Sequence, residues 1–313
     1  MKRKLVLICL CCFVLASFVG CGENEEEISY TPSKVVARTG DYYLSVADGL
    51  TAGEDDWVII GLARNGREVP EGLFDRYYGE TEQLLIDNNG VLPDAMNSVY
   101  ARMALTVTAM GKDPGNVGGY DLFAPLNDVA ATESQGLNGA SWALIAAKGC
   151  GKAVPEEEYL GFILGSQHED GGFALSEGLD SDPDITAMML QALSFFAGRD
   201  DVDGAAGRAL NYLSGVQFED GGFGSMDEPS AESCAQVITA LAAQNIPVDD
   251  ERFVKNGNTV FDALMTYYLD DATFAHSREL GTGDKMATEQ AYYAVVALDR
   301  MEKGETFLYD LTD

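Results

Sequence analysis

Gln167-His168-Glu169-Asp170-Gly171-Gly172-Phe173 returns fifty residues later as Gln217-Phe218-Glu219-Asp220-Gly221-Gly222-Phe223, and fifty-one after that in the altered form Leu269-Asp270-Asp271-Ala272-Thr273-Phe274. A period of this size means one supersecondary unit stacked on copies of itself, so function belongs where the copies converge. Each phrase follows a stretch with apolar residues at helical spacing: Tyr159, Leu160, Ile163 and Leu164, then Leu210, Leu213 and Val216, then Phe261, Leu264 and Tyr268. About ten residues after each phrase comes a second helical run, 185–196, 234–243 and 286–298, that is apolar nearly all round. A helix apolar on every face is buried on every face. Paired outer and inner helices can bury the whole inner set only by closing into a ring.

The rest of the chain supplies the missing pairs. Helical patterns fall at 36–50, 54–64, 72–88, 95–111, 119–131, 135–149, 156–167, 184–197, 203–217, 231–244, 250–269 and 286–301, which is six pairs. No run alternates with period two, so strands are expected only as trivial pieces. The fold class is all-α, a toroid of six helix pairs spanning 36–313. In the third copy Ala272-Thr273 replaces the paired glycines, which predicts a different loop path and faster hydrogen exchange over 270–284.

Residues 1–20 read as a processing signal: Lys2-Arg3-Lys4, an apolar run from Leu5 to Ala16 too short for a comfortable membrane span, then Phe18-Val19-Gly20-Cys21. The junction resembles the bacterial lipobox, which implies acylation of Cys21 and a lipid anchor outside the cytoplasm. Residues 21–35 form an acidic tether. The formal charge of the 313-residue chain is -31, and removal of Lys2, Arg3 and Lys4 makes it three charges more negative. Such a surface repels phosphate backbones and anionic lipid headgroups. No nucleic-acid partner is expected, and membrane attachment falls to the lipid at Cys21.

Cys9, Cys11 and Cys12 leave with the signal, so Cys150 and Cys234 remain, placed at opposite ends of the ring and expected as separate buried thiols. His168 and His276 are the only histidines, and no metal site is expected. Asp180, Asp182 and Asp184 have a calcium-like spacing but lack the glycine and terminal glutamate of an EF-hand loop.

The Gln and Asp-Gly-Gly-Phe phrase resembles the QW-type repeat of the terpenoid cyclase and protein prenyltransferase superfamily, which implies an α/α toroid. Residues 167–298, with inner helices opened by Asp184-Ile185-Thr186-Ala187-Met188 and Met286-Ala287-Thr288-Glu289-Gln290, more closely resemble bacterial relatives of the cobalamin-carrier helical domain. This implies a corrinoid-like ligand and no resident cofactor. Prenyltransferases need an Asp, Cys and His zinc site, and Asp227 with Cys234 has neither the spacing nor the histidine. Cyclases use an Asp-x-Asp-Asp-Thr-Ala motif, of which Asp182-Pro183-Asp184-Ile185-Thr186-Ala187 keeps two carboxylates. The alternative to a catalytic role is a helix start, with Asp182 as N-cap, Pro183 at the first helical position and Asp184 against the helix dipole. Gly149-Cys150-Gly151-Lys152-Ala153 begins like a complement-type thioester but lacks its Glu-Gln, and reads as a turn with Gly149 as the helix stop.

Aligning the inner helices on Ala143-Leu144, Ala192-Leu193, Ala240-Leu241 and Ala297-Leu298 brings Gln135, Asp184, Glu232 and Glu289 into one layer at the ring's mouth, with Asn138 and Tyr292 from the next turn. These six are the expected ligand-binding residues. The functional expectation is a lipid-anchored module that holds a small molecule or a protein partner at the mouth and carries out no catalysis. The alternatives are a cyclase-like enzyme using Asp184 as general acid and a protein-interaction scaffold.

Overall fold

The computed structural model describes residues 30–92, 96–226 and 228–312. The signal sequence, Cys21, Asp227 and most of the tether lie outside these residues. Twelve α-helices occur among the described residues: α1 Pro32–Ser45, α2 Asp56–Arg64, α3 Leu73–Asp87, α4 Asn97–Ala109, α5 Val129–Glu133, α6 Leu137–Gly149, α7 Glu156–Gly165, α8 Pro183–Ser194, α9 Asp200–Val216, α10 Ala231–Ala243, α11 Val260–Met265 and α12 Lys285–Glu302. The even-numbered helices form the inner ring. Each packs on the next, and α12 packs on α2, so the ring closes. Closure explains why α6, α10 and α12 bury almost every side chain. Among the described residues strand is confined to an antiparallel ribbon of two two-residue strands, β1 Gly224–Ser225 with β2 Glu228–Pro229.

Antiparallel pairs joined in series put every inner-helix N-terminus at one end, here called the mouth, and every inner-helix C-terminus at the other, the base. The inner starts are fixed by side-chain caps. The Asp182 carboxylate accepts from the amides of Asp184 and Ile185 with Pro183 in the first turn, Ser230 caps α10 and Asp284 caps α12.

The repeated phrase forms one turn three times. The amides of His168, Phe218 and Leu269 donate to the carbonyls of Gly172, Gly222 and Thr273 at 3.0, 3.0 and 2.9 Å, and an aspartate carboxylate two residues earlier accepts from each of those three residues' own amides. Phe173, Phe223 and Phe274 are fully buried. The third copy does not take a different path. Ala272 adopts φ +67° where Gly171 and Gly221 have +90° and +85°, a conformation that an L side chain enters at a cost of roughly 1–2 kcal/mol. Gln167 and Gln217 bind the turn carbonyls of Gly171 and Gly221 and reach on to Ala205 and Phe253 in the next pair. At the seam Thr39 of α1 takes over, donating to the Ala272 carbonyl at 3.0 Å.

Three helices differ from the sequence expectation. The first begins at Pro32, capped by Thr31. The fifth is only Val129–Glu133, because Gly118 and Gly119 at positive φ fold 117–120 into a turn and Pro125 opens a 3-10 segment. The eleventh is only Val260–Met265, because Asn256 and Gly257, both at positive φ, turn the chain between Lys255 and Asn258. Gly149 is helical rather than the stop. Gly151 at φ +62° provides the left-handed residue, and a Cβ on Gly149 would sit 2.0 Å from the Tyr309 carbonyl oxygen.

That contact belongs to the seal of the base. The C-terminal segment crosses the inner-helix ends, with the Leu311 amide on the Gly149 carbonyl and Arg64 holding the carbonyls of Phe307 and Asp310. It inserts Tyr309 beneath Trp57, Trp142 and Tyr293, at 5.9, 5.6 and 6.5 Å between ring centroids.

Candidate functional site at the mouth

The largest of three cavities at the mouth, about 970 Å³, lies over the starts of α8, α10 and α12 and is lined by Asp184, Glu232, Ser233, Gln236, Tyr267 and His276 among others. A shallower depression of about 300 Å³ adjoins it through Met188, Gln236 and Gln290, and its floor is Trp57, Trp142 and Tyr293. The two tryptophans lie 4.8 Å apart. Beneath the polar layer, Gln191, Gln236, Gln290 and Tyr293 are chained by hydrogen bonds across three inner helices.

The electrostatics of this layer follow from burial. Asp184 is pushed up to about 7, chiefly by desolvation, with Ser233 opposing and the charges of Asp182 and Glu232 adding to the rise. Its Oδ1 is buried without a hydrogen-bond partner. Glu232 meets His276, whose Nδ1 lies 2.9 and 3.0 Å from the two carboxylate oxygens, and that contact raises the histidine above its ordinary value. The Tyr267 hydroxyl is buried and unpartnered, while Arg278 lies over its ring and pairs with Asp220 at 2.6 Å. Buried polar atoms without partners, on two residues that line one cavity, are costly.

The expected layer is divided among several places. Asp184 and Glu232 share the large cavity, and Asn138 lines the adjoining depression. Glu289 belongs instead to a separate 600 Å³ cavity at the seam between the first and last pairs. There desolvation pushes it up to about 7, opposed by Lys285, which pairs with Asp55 at 2.9 Å. Gln135 ties the start of inner helix α4 to outer helix α5, accepting from the Ser98 amide and donating to the Ala131 carbonyl. Tyr292 is not at the rim: it is fully buried, its hydroxyl accepts from Asn65 at 2.8 Å, and its ring fills the space that the missing side chain of Gly61 leaves. Three residues, nearly one helical turn, separate Glu289 from Tyr292, so both face the side of α1 and α2, with Tyr292 packed inside the wall.

His276, Tyr267 and the glutamine chain escaped the sequence reading. A signal for the histidine was present in the period. Two residues past each repeat phenylalanine, Leu175, Ser225 and His276 reach back to the preceding inner helix start, against Gly136, Asp182 and Glu232 respectively. Among the described residues no three His, Cys, Asp or Glu side chains are gathered as a metal site.

No family model and no curated protein sequence matches the chain. The fold is similar to that of a protein geranylgeranyltransferase-I of Candida albicans complexed with GGPP, at TM-score 0.60 and 12% identity over 88% of this chain and 94% of that one. It is also similar to an unsaturated glucuronyl hydrolase from Bacillus sp. GL1, responsible for glycosaminoglycan degradation, at TM-score 0.58 and 14% identity over 89% and 99%. These likenesses define the class, an all-α toroid of six helix pairs, and carry the fold alone.

Proposed function

We propose that this toroid is an extracytoplasmic binding module, anchored through lipid on Cys21, that holds a small amphipathic molecule at the mouth. The observation that carries the reading is the 970 Å³ cavity lined by Asp184 and Tyr267, each with a buried polar atom that has no hydrogen-bond partner, beside a tryptophan-floored depression. The polar groups fit a ligand with hydrogen-bonding edges and the aromatic floor fits an apolar face, a combination that a corrinoid-like molecule possesses. The sealed base argues against a long polyprenyl chain, because Tyr309 and the aromatic rings above it occupy the ring's depth.

Thermal unfolding of the purified chain against corrinoids, isoprenoids and a metabolite panel tests the reading, since a ligand of the folded state raises its melting temperature by mass action. A ligand that stabilises the wild type and not Asp184→Asn supports it; a panel without effect counts against it. Detergent phase partitioning of Cys21→Ala tests the anchor. Release from the detergent phase is expected, and unchanged partitioning contradicts it.

A second reading is favoured by one observation, the elevation of Asp184 to about 7, which lets it hold a proton near neutrality and donate it to a substrate. Product formation by the wild type, lost in Asp184→Asn, would establish that reading.

A further inference from the structure

Exposed large apolar side chains are ordinary when scattered; here they are segregated. Met96, Leu175, Leu179, Met226, Leu280 and Met286 all lie in the loops or first turns that open inner helices. The other four, Val46, Ile86, Val91 and Val216, lie at or just beyond the C-terminal ends of outer helices, which is the same end of the ring. None belongs to a connection at the base, which the C-terminal segment covers.

Charge is segregated in the same sense. Among the described residues, the outer-to-inner connections carry fifteen Asp and Glu against one cation, Arg278, which Asp220 already pairs. The inner-to-outer connections together with the C-terminal segment 303–312 carry ten against seven Lys and Arg. Lys285 in the first turn of α12 is likewise held by Asp55. The mouth therefore shows apolar residues set in predominantly negative charge.

We propose that the mouth-side face is a docking surface for a cationic amphipathic segment of a partner protein, whose apolar side chains cover Leu175, Leu179, Leu280 and their neighbours while its Lys and Arg meet the surrounding carboxylates. Charge complementarity selects this occupant. A second copy would set one acidic face on another, and an anionic membrane would be repelled in the same way. Flexible methionine and leucine side chains accommodate the varied apolar anchors of a helical peptide.

The test is fluorescence anisotropy of a labelled, synthetic amphipathic lysine/leucine peptide with the purified protein, beside a peptide of the same pattern with glutamate for lysine. Leu175→Ser, Leu179→Ser and Leu280→Ser are combined in one variant. All three residues are about half exposed and outside the cavity linings, so folding and small-molecule binding are left as they were and are checked by melting temperature and by the ligand panel. The expected result is saturable binding of the lysine peptide, no binding of the glutamate peptide, and affinity weakened about tenfold in the triple variant. Three outcomes would overturn the proposal: no binding of the lysine peptide, equal binding by the triple variant, or equal binding of the glutamate peptide. A dimer in sedimentation that the triple variant dissolves would give the face to a second copy. Cosedimentation with zwitterionic vesicles that the triple variant loses would give it to lipid.

Discussion

The two ends of the toroid are made by the same six helix pairs and are finished in opposite ways. At the base, inner helices end on a segment of the chain itself: Tyr309 fills the axis and Leu311 bonds the end of α6. At the mouth, inner helices begin on capping side chains and large apolar side chains remain in solvent. One end is closed by the chain itself and the other is left open to solvent.

If the base is a stabilising plug, cutting it should produce the largest effect. Tyr309→Ala removes a fully buried ring from the axis and is expected to lower stability by about 3–5 kcal/mol, read by denaturant unfolding. A loss below about 1 kcal/mol would mean the plug is dispensable and the contrast between the ends is false.

The mouth should respond in the opposite direction. Asp184 is raised from 3.8 to about 7 in the folded chain. Below pH 3.8 it is neutral in both states. As pH rises toward 7 the unfolded chain ionises while the folded chain retains the proton, so stability falls, and above about 7 the loss is complete. Glu289, raised from 4.5 to about 7, adds to the same slope. Asp184→Asn is therefore expected to stabilise the protein at pH 8, by up to about 4 kcal/mol, to leave it unchanged near pH 3, and to flatten the decline between. Melting curves across that range check it; a variant less stable than wild type at pH 8 would make Asp184 structural.

The smallest effect separates the turns within the mouth. Ala272→Gly relieves the left-handed alanine and is expected to stabilise by about 1 kcal/mol. Gly171→Ala, whose Cβ would come 2.6 Å from the Arg208 carbonyl oxygen, should destabilise by more than that. Equal melting temperatures for Ala272→Gly and wild type would show that the third turn is already relaxed.

The architecture was legible because the fifty-residue period and the all-round apolar inner helices each imply stacking, and stacking with no exposed apolar helix requires closure. The short α5 and α11 were less legible. Their segments have enough apolar residues for a helical pattern, yet Gly118-Gly119 and Asn256-Gly257 were the turn signals that decide otherwise. The turn at 269–274 kept its shape because the Asp271 carboxylate and the Thr39 hydroxyl hold it from outside the glycine positions. At the candidate site, alignment placed Asp184 and Glu232 in one cavity but could not resolve helix rotation, which sends Tyr292 into the wall and Glu289 to the seam. Tyr309 reaches the axis through contacts with residues far away in sequence, so no local pattern announces it.

We propose that the mouth binds its ligand and releases it unchanged. It is tested most directly by titrating wild type and Asp184→Asn with whichever panel molecule raises the melting temperature most, and then analysing the mixture by mass spectrometry. The account predicts recovery of the ligand unchanged and binding weakened by about 1–3 kcal/mol in the variant, the worth of a charge-assisted hydrogen bond. A converted product made by the wild type and absent with Asp184→Asn would contradict it.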